Sequence, residues 1–103
     1  MQIKEGVVMA GLRIEMRPAL IFADQIWREH GQELVITGAL DGTHSAGSLH
    51  YYGYALDLRT RFFTAAQVKI VAAELKHKLG TNYDVIIEGD HIHVEYDDKS
   101  RGY

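Results

Sequence analysis

Residues 48–57 read SLHYYGYALD and residues 90–95 read DHIHVE. Four of the six histidines, His44, His50, His91 and His93, lie in or beside these two stretches. With cysteine absent, a divalent metal would have to be held by imidazole nitrogen and carboxylate oxygen. Two histidines and an aspartate hold zinc at about 2.0–2.2 Å and leave a fourth tetrahedral position for water. The pKa of that water falls toward about 7, and a carboxylate outside the metal sphere can then accept its proton. His50, Asp57 and His93 are donors of the right types, Asp90 is the nearest carboxylate for the proton, and His91 can hydrogen-bond a substrate or the oxyanion that forms.

Strand geometry decides which of these side chains can meet. Residues two apart on a strand point to the same side, so His91 and His93 share a face. His50 and Asp57 are seven apart, an odd number, and cannot share a face of one flat strand. Gly53 supplies a bend between them, which puts His50 on a loop and Asp57 on the strand that follows. Each feature has a plainer explanation when taken singly. A His-x-His pair on a strand is commonly a satisfied surface pair, and an aspartate ahead of a strand is commonly a turn residue. The combination is what points to a site.

The elements that must position these residues follow from periodicity. Between Pro18 and His30 the apolar residues Ala19, Phe22, Ala23, Ile26 and Trp27 recur at helical steps, with Pro18 suited to the first turn and Gly31 to the stop. Thr64 and Gln67 form a capping-box pattern ahead of Val68, Val71, Ala72, Leu75 and Leu79, and Gly80 ends that helix. Strands are expected in LVITGAL from Leu34, YALDL from Tyr54, YDVIIE from Tyr83 and HIHVEY from His91, with a loop from Asp41 to Ser48. This order gives an α+β domain, an antiparallel sheet packed with two main helices. His30 and His77 fall in the last helical turns, where an imidazolium meets the negative end of the helix dipole, and a local structural role is expected for both.

Length and composition set the limits. A chain of 103 residues, 47% hydrophobic and 24% charged, suits one globular domain spanning 1–103. A net charge of −3 and the lack of a basic cluster argue against nucleic-acid binding. No apolar run reaches the roughly 18 residues of a membrane span, and the start lacks a signal-type apolar stretch. A protein without its own export signal, not membrane-bound and acting as a monomer, is the expectation.

Residues 48–57 match S-x-H-x-x-G-x-A-x-D at Ser48, His50, Gly53, Ala55 and Asp57, and Asp90 with His93 gives D-x-x-H. Together these resemble the zinc D-alanyl-D-alanine carboxypeptidases, a family that also includes phage cell-wall endopeptidases and has the hedgehog signalling domain as a structural relative. The resemblance covers roughly residues 34–96. It implies a hedgehog/DD-peptidase-like fold and a single zinc ion held by His50, Asp57 and His93. It also implies Asp90 as general base, His91 as a residue supporting the transition state, and Ser48 as a support for the ligand loop. His44 is similar to a histidine found near the metal in some members.

Two features depart from the pattern. Many members carry an arginine on the strand before the motif to grip a terminal carboxylate, and here Leu40 or Asp41 falls at that place; Arg59 or Arg61 is a substitute, or each is solvated surface charge. Glu88 and His91 also form an E-x-x-H, so a register with His91 as the third ligand stays open beside the favoured His93.

The resemblance implies a peptidase that hydrolyses the peptides of bacterial peptidoglycan as a carboxypeptidase or an endolysin-type endopeptidase. Tyr51, Tyr52 and Tyr54 would border the substrate, or at least some of them serve core or hairpin packing. The missing export signal fits a phage enzyme that stays in the host cytoplasm until lysis, or a virion component. Two rival readings are a non-catalytic, zinc-stabilised binding module of the same fold, and an α+β domain whose histidines only pack.

Overall fold

A computed structural model describes residues 1–39 and 53–98 of the chain. Its elements run β1 (Gln2–Ile3), a 3-10 turn at Ile14–Met16, α1 (Arg17–Glu29), β2 (Val35–Gly38), β3 (Ala55–Arg59), α2 (Ala65–Leu79), β4 (Tyr83–Glu88) and β5 (His91–Tyr96). The fold is α+β, with both helices and four strands where the sequence patterns put them. Pro18 lies in the first turn of α1. Thr64 Oγ1 accepts the Gln67 amide at 3.1 Å while Gln67 Oε1 accepts the Thr64 amide at 2.8 Å, completing the capping box.

The five strands lie in the order β1-β2-β3-β5-β4. From β2 through β4 all neighbours are antiparallel, but β1 joins β2 in parallel, so the sheet is mixed rather than antiparallel throughout. The cause is the connection: β1 precedes α1 and β2 follows it, and a helical crossover is what lets two strands run the same way. With only two residues, β1 has too little alternation to be recognised from sequence.

One face of the sheet meets the helices. Ile36, Leu56, Leu58, Ile92 and Val94 are fully buried against Ala19, Ala23, Ile26, Trp27, Val71 and Leu75 in one contiguous core. Trp27 fixes the packing at one end, donating its indole N–H to the Arg59 carbonyl at 3.0 Å and standing edge-on to Phe63. His30 sits just past α1, and its Nε2 meets Glu74 Oε1 on α2 at 2.9 Å, tying the helices together. His77 lies in the last turn of α2.

Since side chains alternate along a strand, the same strands present a second set of residues on the other face. Asp57 and Arg59 of β3, His91, His93 and Glu95 of β5, and Glu88 of β4 all belong to it.

Candidate functional site

Backbone pairing brings Asp57 and His93 together although they are 36 residues apart in the chain. They are direct partners across β3 and β5, and His93 Nδ1 lies 3.0 Å from Asp57 Oδ1. His91 is two residues earlier on β5, opposite Arg59, and its Nε2 is 3.7 Å from the same Asp57 oxygen. The other His91 nitrogen, Nδ1, meets Asp90 Oδ1 at 3.1 Å, and the other His93 nitrogen, Nε2, meets Glu95 Oε1 at 2.8 Å. Carboxylate and imidazole thus alternate along one row, Asp90, His91, Asp57, His93, Glu95.

Two backbone features make room for the row. Strand β2 shifts register between Ile36 and Gly38, which places Gly38 opposite Asp57. A Cβ on Gly38 would run into the Asp57 carboxylate, with Asp57 Cγ 3.1 Å away. Glycine at this position is therefore the space that the carboxylate occupies. Gly53 has φ +82°, and a Cβ there would come within 2.5 Å of the Gly11 carbonyl; its own carbonyl accepts the Arg13 amide at 3.0 Å. The bend expected at Gly53 is present, and it packs the start of β3 against residues 11–13. Ala55, next on the site face, is buried.

The hairpin joining β4 and β5 turns through Gly89 and Asp90 between the paired Glu88 and His91. The Thr60 amide donates to the Asp90 carbonyl at 2.8 Å, pinning this turn to the end of β3. The Asp90 side chain stands 81% exposed at the rim of the row, whereas His93 is only 14% exposed within it.

The electrostatics follow the pairing. The hydrogen bond that His93 donates to Asp57 is the main cause that raises the His93 pKa above its ordinary value of 6.5; burial opposes it, and Glu95 adds to it. Asp90 moves the other way. The His91 hydrogen bond chiefly lowers its pKa, with the Arg59 charge contributing, so its carboxylate is ionised at neutral pH.

Of the residues expected at the site, Asp57, Arg59, Asp90, His91 and His93 fall on this face or its rim. His44, Ser48, His50 and Tyr51 lie outside the described residues, as do Tyr52, Leu40 and Asp41. Among the described residues, no group of three or more histidines and carboxylates is arranged to hold a metal ion, and the third expected donor is His50. The donors that are described suit zinc, since an imidazole nitrogen and a carboxylate oxygen face each other 3.0 Å apart while the remaining imidazole nitrogen is taken by a carboxylate, an arrangement common behind metal-bound histidines. Between the two registers left open, His93 lies nearer Asp57 than His91 does and is the more buried of the pair.

Three further residues belong to the site. Glu95 has a signal in the sequence, its spacing of two from His93 on one strand. Glu88 Oε1 is 4.0 Å from His93 Nδ1, and only the E-x-x-H spacing drew notice to it. Gly38 has no such signal, because a glycine near a strand end reads as a stop.

Tyr54, for which the sequence leaves both substrate contact and packing open, stacks on Tyr96 with ring centroids 6.1 Å apart and lies beneath the Arg13 guanidinium. It directly precedes β3, and the alternation continued back from Leu58 and Leu56 assigns it to the helix side of the sheet, out of phase with Asp57. No protein-family model matches the chain, and no curated protein matches it in sequence.

Proposed function

We propose that this chain is a zinc-dependent peptidase that hydrolyses peptide bonds of bacterial peptidoglycan. The observation that supports it best is the direct pairing of Asp57 with His93, Oδ1 to Nδ1 at 3.0 Å, on a sheet face whose partner strand carries a glycine where any side chain would displace the carboxylate. The two residues are the ones at which the motifs S-x-H-x-x-G-x-A-x-D and D-x-x-H end. His50, Asp57 and His93 are the residues that would hold zinc, which when bound supplies a Lewis acid for the carbonyl and the nucleophile.

The chain's own residues supply the rest. Asp57 and His93 are oriented by the paired backbones of β3 and β5, so little reorganisation is needed to present them. Asp90 starts ionised and can take up a proton at a carboxylate oxygen, while His91 holds that carboxylate at 3.1 Å. Arg59, one strand step beyond Asp57 and opposite His91, is a cation on this face suited to an anionic substrate group.

The test is incubation of purified peptidoglycan with the protein, with and without a chelator, beside an Asp90→Ala variant. Release of peptide fragments by the wild type, its loss with chelator, and its loss in a variant that still binds one zinc support the peptidase. No release by the zinc-loaded wild type from walls of varied peptide composition rejects it. One observation favours a second reading, a zinc-stabilised binding module: the Asp90 carboxylate is largely exposed and already paired with His91. Under that reading chelation unfolds the domain and Asp90→Ala changes nothing measurable.

A further inference from the structure

We infer that Glu95 is a positioning residue for His93: it accepts the Nε2 hydrogen and thereby reserves Nδ1, the nitrogen that faces Asp57, for the metal. The inference rests on the zinc reading above and concerns a residue outside the two motifs that support that reading. A neutral imidazole carries its single hydrogen on one nitrogen only, and the hydrogen bond made at one nitrogen decides what the other can do. In His93 the two nitrogens face different carboxylates, Glu95 at 2.8 Å and Asp57 at 3.0 Å. Asp57 is a motif residue, and Glu95 lies one strand step further along the same face.

The surroundings of Glu95 direct its side chain toward the ring. Its partner on β3 is the small Ala55, and its partner on β4 is Asp84, a like charge that disfavours extension toward that strand. Glu95 is 23% exposed and His93 is 14% exposed, so the bond is sheltered enough from water to fix the ring. A carboxylate in this place both locks the tautomer and makes the opposite nitrogen a better donor to a metal.

The experiment uses the full chain and zinc alone. Zinc affinity is measured by competition with a chromophoric chelator for wild type, Glu95→Gln and Glu95→Ala, with far-UV circular dichroism of each metal-free protein as the check on folding. Long-range proton–nitrogen NMR of the zinc-loaded wild type identifies which His93 nitrogen carries hydrogen.

The expected result is a loss of about 10- to 100-fold in affinity for Glu95→Ala and a smaller loss for Glu95→Gln, which keeps an acceptor oxygen. Hydrogen is expected on Nε2 and metal on Nδ1. Equal affinity in all three proteins, or hydrogen on Nδ1, overturns the role of Glu95 and leaves the zinc reading intact. Complete loss of zinc in both variants makes Glu95 a ligand and also overturns a positioning role. A wild type that binds no zinc removes both readings together.

Discussion

Strands β3 and β5 present two faces built from the same ten or so backbone positions, and the faces could hardly differ more. Toward the helices stand Leu56, Leu58, Ile92 and Val94, each fully buried. Away from the helices stand Asp57, Arg59, His91, His93 and Glu95, none of them fully buried. Hydrophobic side chains stabilise the sheet in proportion to the area they remove from water. Polar ones on the opposite face gain little, because water already satisfies them when the chain is unfolded. The apolar face therefore supplies the rigidity, and the polar face uses it to hold an acid and an imidazole in contact. If this division is right, substitutions on the two faces should separate cleanly into those that change metal binding and those that change stability.

The sharpest separation is expected at Asp57. Asp57→Ala should abolish stoichiometric zinc binding and any zinc-dependent hydrolysis while the metal-free protein keeps its secondary structure. Metal analysis after dialysis and circular dichroism measure the two sides. A variant that retains one tightly bound zinc would remove Asp57 from the ligand set.

One residue further along the same strand the balance inverts. Leu58→Ala should cost about 2–5 kcal/mol of stability, read from urea unfolding of the metal-free protein. That is a large share of the roughly 5–15 kcal/mol available to a domain. Zinc affinity of the molecules that remain folded should stay close to wild type. A Leu58→Ala protein that binds zinc poorly although folded would show that the two faces are coupled and not divided.

Gly38 tests the boundary between the faces, since it carries no side chain on either. Its backbone is in a conformation open to other residues, so an alanine meets no backbone strain; the nearest obstacle is the Asp57 side chain, its carboxylate first. Gly38→Ala should turn that carboxylate off His93 and weaken zinc by about 10- to 100-fold, the range typical of residues that orient ligands. Unchanged affinity would mean that the carboxylate has another way to reach the metal.

What the sequence made legible divides along the same line. Apolar periodicity and the Thr64–Gln67 cap were enough to locate α1 and α2, because burial and capping act within one element. The alternation of HIHVEY was enough to put His91 and His93 on one face. The pairing of Asp57 with His93 is different in kind, since it depends on register between strands separated by α2, and spacing alone does not encode register. It became legible only through the motif. Gly38 and the parallel strand β1 stayed hidden for related reasons: the first matters through a neighbour on another strand, and the second is too short to have a pattern. Tyr54 is the reverse case: its place next to a motif residue allows either substrate contact or packing, and strand phase with its stacking on Tyr96 favours packing.

The smallest expected effect lies in how pH acts on His93, and its sign depends on the metal. In the metal-free protein the Asp57 carboxylate raises the His93 pKa above 6.5, so the folded state holds this proton more tightly than the unfolded chain does. The resulting stability is fully present below about pH 6.5, and it is lost as pH rises through the raised folded value. Zinc needs the unprotonated ring, so affinity should instead fall as pH drops through that same value. Metal-free stability and zinc affinity should therefore move in opposite directions across one pH window, followed by thermal melting and by chelator competition respectively. His93→Gln should flatten the melting curve across that window, whereas Leu58→Ala should shift it downward without changing its shape. If Leu58→Ala altered the shape, the proton would be reporting on the core, and the separation between the two faces would fail at its most sensitive point.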